Sequence, residues 1–125
     1  MTGYRATLFV GAALVACGSR APGVPEPDRV RAEDYAERGQ RRFDAGDHEG
    51  GLRLATRALV VRLAACGYEC PEVAYSFVQL GDMRRVVGQE AWARQSYRRA
   101  LEVLEPHAST QGEWIRATRE RLGGE

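Results

Sequence analysis

Lysine and asparagine are absent from this sequence, histidine occurs twice and cysteine three times. All 18 basic side chains are therefore arginine; we read this as a genomic base-composition bias rather than a functional signal. No block of like charge occurs. The pairs Arg41-Arg42, Arg84-Arg85 and Arg98-Arg99 are spread along polar helix faces, and the net charge is +1. A nucleic-acid stripe would need a clearly basic domain. His48 and His107 stand in no metal-ligand spacing and in no nucleophile arrangement. There is no glycine-rich phosphate loop. The expectation is a protein that is not an enzyme and carries no metal and no cofactor. Strand-like alternation is also missing, so a sheet is not expected.

What is present is 125 residues, 44% hydrophobic and 28% charged, enough for one small domain. Residues 1–16 contain a single charge, Arg5, followed by an apolar run from Ala6 to Ala16. That run falls far short of the roughly 20 residues that cross a bilayer as a helix. A basic start, a short apolar core and small residues at its end make an export signal. The run closes as Leu14-Val15-Ala16-Cys17, which resembles the bacterial lipobox. The resemblance implies lipid transfer to Cys17, cleavage after Ala16 and acylation of the new amino terminus. Each buried CH₂ contributes about 0.8 kcal/mol, so two or three acyl chains anchor a protein essentially permanently. Gly18-Ser19 follow, without an Asp at the second mature position. Similarity to Gram-negative lipoproteins then implies the periplasmic face of the outer membrane. Removing residues 1–16 takes away Arg5 alone and leaves the remainder neutral by side-chain count, so lipid and not a basic patch would hold the protein.

Residues 17–29 read as the lipidated cysteine and a flexible spacer. Between Gly18 and Asp28 stand three prolines and two glycines, a composition for extended, partly polyproline chain. From Val30 the pattern turns helical. Five helices are predicted: about Val30–Ala45, with Asp28 as N-cap; Glu49–Ala65; Pro71–Val87; Glu90–Leu104; and a fifth after Thr110, where Thr110 and Glu113 form a capping box. The fifth ends at Gly123-Gly124.

The helices repeat. At an offset of 42, Gly39 falls on Gly81, Gly46 on Gly88, and Arg57-Ala58-Leu59 on Arg99-Ala100-Leu101. The same offset carries Leu80-Gly81 onto Leu122-Gly123. With Ala93, Tyr97 and Pro106 in the second unit and Tyr35 in the first, residues 30–122 resemble the tetratricopeptide repeat (TPR) family. Arg42 stands where that family usually has an aromatic, beside Phe43, and Gly51 replaces the usual alanine. The spacing exceeds the common 34 residues. It is similar to the kinesin-light-chain type, whose loop carries a proline, as Pro71 does here. The resemblance implies an all-α fold of TPR-like helical hairpins, two repeats plus a C-terminal capping helix. It also implies a partner-binding groove on the first helix of each pair: Glu33, Ala36, Gln40 and Phe43 in unit one, and Tyr75, Val78, Asp82 and Arg85 in unit two. For Phe43 and Tyr75 the alternative is packing against the neighbouring helix. Trp92 is expected to be partly exposed, and Trp114 to pack the capping helix onto unit two.

Cys66 and Cys70 bracket the loop between the units. Export places them in an oxidising compartment. The odd cysteine count is accounted for if Cys17 carries lipid and these two pair; the alternative is two unpaired thiols in a turn. The expected function is a membrane-anchored adaptor or scaffold that binds a protein or peptide in the cell envelope. A self-associating structural lipoprotein, or a non-catalytic accessory subunit of an envelope enzyme or secretion complex, is the alternative.

Overall fold

A computed structural model describes residues 23–123. The export signal 1–16, Cys17 and the first residues of the spacer lie outside the described residues. Five α-helices follow one another: α1 Glu26–Asp44, α2 His48–Cys66, α3 Pro71–Val86, α4 Glu90–Leu104 and α5 Ala108–Arg121. Short 3-10 turns, Gly67–Glu69 and Glu105–His107, precede α3 and α5. The fold is all-α and built of helical hairpins, and no strand occurs among the described residues. α1 packs on α2 and α3 packs on α4, and α2 then packs against α3 and α4 against α5. α1, α3 and α5 begin at one end of the molecule, here the lower end, where α2 and α4 finish.

Local chemistry accounts for the helix ends. Gly46 and Gly88 adopt φ values of +97° and +83°, a left-handed conformation that glycine enters without steric cost. Asp47 caps α2 by accepting a hydrogen bond from the Gly50 amide at 2.9 Å. Pro71 opens α3, where its missing N–H would be unpaired in any case.

Four expectations need correction. First, α1 starts at Glu26, not Val30. Pro27 lies in the first turn, the one stretch of a helix that tolerates proline. The spacer is therefore shorter than 17–29, and Val24 is already buried in the core at 7% exposure. Second, Asp28 is not the N-cap. Pro25 holds that position without a side-chain bond, and Asp28 pairs with Arg31 at 2.9 Å. Third, the Thr110–Glu113 capping box gives way to another arrangement. Thr110 Oγ1 donates to the His107 carbonyl, and α5 begins at Ala108 with a kink at Gln111. Fourth, Gly81 and Gly123 are not structurally equivalent. Gly81 sits inside α3, whereas Gly123 follows α5 with φ +72°, as Gly46 follows α1 and Gly88 follows α3.

The main core joins Val24, Cys70, Val73, Ala74 and Val78 to Tyr97, Ala100, Leu104, Ile115 and Leu122. A smaller one gathers Phe43, Ala55, Leu80 and Met83. Cys66 and Cys70 are joined by a disulfide, their Cα atoms 6.0 Å apart. It ties the end of α2 to the start of α3. His107 Nε2 contacts the Glu69 carbonyl at 2.9 Å and joins the two lower turns.

Candidate interaction surface

α1, α3 and α5 lie side by side. Gln79 in the middle of α3 donates its amide to the Ala36 carbonyl of α1 at 2.8 Å and touches Gln40 Oε1 at 3.4 Å. On the other flank Tyr75 donates its hydroxyl to Gln111 Oε1 at 2.6 Å, and its ring stacks on Trp114 with centroids 4.4 Å apart. One turn above Gln79, Asp82 accepts from Arg121 of α5 through both oxygens, at 2.8 and 3.2 Å. It also accepts from the Tyr97 hydroxyl at 2.6 Å. The three first helices thus form one continuous face.

Of the residues expected on that face, Glu33 and Gln40 are exposed, and Glu33 pairs with Arg29 at 3.6 Å. Gln40 also donates to Asp44 at 2.9 Å. Ala36 is half-buried and contributes its carbonyl. Phe43 and Val78 are corrections. Both are buried, at 5% and 3% exposure. Phe43 packs against the His48 ring in a tilted arrangement, centroids 4.4 Å apart, across the turn from α1 to α2. Tyr75, Asp82 and Arg85 are partly accessible but already engaged. Arg85 forms a two-point bond with Glu90, at 2.8 and 3.0 Å, and lies 4.9 Å over the Tyr97 ring. Burial pushes the Tyr75 phenol above its ordinary value, against the opposing effect of the Gln111 bond. Burial raises Tyr97 further, with the Asp82 carboxylate adding to it.

The repeat pattern does not show the contribution of α5 to this face, although Trp114 is expected to pack on unit two. Glu113, Trp114, Ala117 and Arg121 line a shallow hollow of about 240 Å³ beside this face, with Trp114 still 39% exposed. The pattern does not single out Arg62 either. It is buried on α2 and donates to Ser76 Oγ of α3 at 2.6 Å. Burial lowers its pKa, while Glu33 and Glu72 oppose the shift. A lone arginine inside Val60-Val61-Arg62-Leu63 was the available signal.

The outer edge of α5 differs from the other first helices. Seven residues before the turn glycine, α1 has Gly39 and α3 has Gly81, each facing a second helix. α5 has the exposed Arg116 there. With Arg119, Glu120 and Gly123 it surrounds a charged hollow of about 430 Å³. A helix could not approach that edge as closely as α2 approaches α1. Among the described residues no three His, Cys, Asp or Glu side chains converge as metal ligands, and no helix is long and apolar enough to cross a membrane. Comparison with models of known protein families, with characterised proteins and with solved structures finds no match for this chain.

Proposed function

We propose that this chain is a lipid-anchored, TPR-like interaction module of the bacterial envelope. In this reading it docks a protein or peptide partner along the α1–α3–α5 face and has no catalytic role of its own. One observation carries it. The two hairpins repeat one register 42 residues apart, Gly39 facing Ala55 and Gly81 facing Tyr97, so a duplicated unit presents a duplicated face. Cys17 supplies the anchor through its lipobox resemblance, and Gly18 after it favours the outer membrane.

The charged edge of α5 favours this reading over a self-completing array. A terminal unit with a polar outer face closes a repeat stack. A photo-crosslinking amino acid at Gln40 or Trp114, in cells of the source bacterium, tests the face. The expected result is a discrete product from both positions and none from Arg57 on the outward side of α2. Identical products from all three positions would rule the face out.

A further inference from the structure

The chain from the anchor enters the domain at its lower end. Val24 is buried in the core with the first residues of α3, and Gly23 lies beside Glu72. Six residues separate Val24 from Cys17, so the two α-carbons are at most about 25 Å apart whatever path the chain takes. The helices run 14 to 19 residues. At 1.5 Å per residue the upper end lies roughly 21–28 Å from the lower end where the chain enters.

The same lower end carries an exposed apolar strip. Val60 and Ala64 run down the outward side of α2 to Tyr68, with Val60 58% and Tyr68 61% exposed. Tyr68 stands in the turn that the Cys66–Cys70 disulfide closes, and its ring stacks 6.4 Å from Phe77. The ring lies against the flank of α3 and is still largely open to solvent. An aromatic ring with an apolar body and a polar tip is suited to the headgroup layer of a bilayer.

We infer that the lower end rests on the bilayer that holds the lipid of Cys17, with Tyr68 seated at the interface and the helices upright. This rests on the anchor proposed above. Glu69 and Glu105 share that end and oppose anionic headgroups. The seat is therefore held by the anchor, and the unlipidated chain does not bind vesicles by itself. The exposed Val86 and Trp92 at the upper end then point away from lipid.

The test uses the full acylated chain, purified from membranes and reconstituted into phosphatidylcholine vesicles with brominated acyl chains, which quench nearby tryptophan. One variant combines Tyr68→Trp with Trp92→Phe and Trp114→Phe; the other carries Trp114→Phe alone and reports from Trp92. A tryptophan at the interface should lose roughly half its emission, and Trp92 almost none. Equal quenching at both positions, or at neither, overturns the seat. Intact mass separates the two ideas: a chain recovered without acyl groups overturns the anchor and the seat together, whereas an acylated chain with equal quenching overturns the seat alone. Hydrogen exchange on the unsubstituted protein gives the answer without relying on variants. Amides of residues 67–70 should exchange more slowly in the vesicle-bound protein than in a soluble Cys17→Ser chain, and unchanged rates count against the proposal.

Discussion

The two hairpins solve one packing problem in opposite ways. In the first, backbone meets backbone. A Cβ on Gly39 would lie 3.0 Å from the Gly51 carbonyl oxygen and 3.1 Å from the Ala55 nitrogen, and one on Gly51 would lie 2.6 Å from Phe43 Cβ. In the second, the notch at Gly81 is filled by the Tyr97 ring, 2.6 Å from where a Cβ would be. Just above, Phe43 packs against His48 in the first hairpin, while Arg85 bonds Glu90 at the equivalent positions in the second. The same 42-residue frame thus accommodates an apolar pair or an ion pair, and two small residues or one glycine and one ring. The difference has a further consequence. Tyr97 extends its hydroxyl to Asp82 on the shared face, where Arg121 of α5 also binds. The second hairpin is thereby locked to α5 through an ion pair, whereas the first is tied to α3 by the Gln79–Ala36 and Arg62–Ser76 bonds and the disulfide.

The sharpest way to break this comparison is at Tyr97. Tyr97→Ala empties a fully buried site and should cost about 3–5 kcal/mol in denaturant unfolding. Adding Gly81→Ala to that variant should restore part of the loss, because it fills the cavity and favours helix. On the unsubstituted background Gly81→Ala should destabilise, by about 1–3 kcal/mol, through overpacking. A double-mutant cycle with no change of sign would mean that Tyr97 does not occupy the glycine notch. No side-chain change on α2 should rescue Gly39→Ala in the same way, since most of what it meets is backbone.

Reducing the Cys66–Cys70 disulfide should loosen the junction between the hairpins and leave each intact. The loop it closes is short, so about 2 kcal/mol is the most that chain entropy offers. Thermal melts with and without reductant should differ by a few degrees, with helicity unchanged. Arg121→Ala should cost about 1 kcal/mol, because both partners are partly solvated. Its readout is local: amides of α5 should exchange faster, and those of α1 and α2 should not change.

The smallest effect is one of pH. The Tyr97 phenol is held above its ordinary value, first by burial and then by Asp82. An unfolded tyrosine ionises near pH 10. Stability from this group is therefore complete below about pH 10 and is lost as pH rises toward the folded value, because the unfolded chain gives up the proton first. Tyr75 acts in the same direction through its burial. Tyr97→Phe should flatten the fall in melting temperature above pH 10. An identical alkaline slope in both proteins would remove Tyr97 from the explanation.

Much of this was legible along the chain because it is encoded locally. Gly46, Gly88 and Pro71 mark helix ends by backbone conformation alone, and the 42-residue offset brought Gly39 and Gly81 into register without any knowledge of what they face. The candidate face was less legible. Phe43 and Val78 share a helical side with Gln40 and Asp82 in projection, yet a small rotation of each helix about its axis turns them into the core. A sequence repeat does not specify that rotation. The start of α1 was also missed, because three prolines suggested a spacer, while burial of Val24 against α3 holds Glu26 and Pro27 in helix. Local conformational preference and the spacing of small residues thus determined an all-α chain of paired helices from the sequence itself. Only the tertiary structure decided that α5 joins α1 and α3 in one row, that Asp82 is shared between Tyr97 and Arg121, and that the chain from Cys17 enters at the end bearing Tyr68. Those facts depend on contacts between residues far apart in sequence, and side-chain packing selects such contacts only once the helices have met.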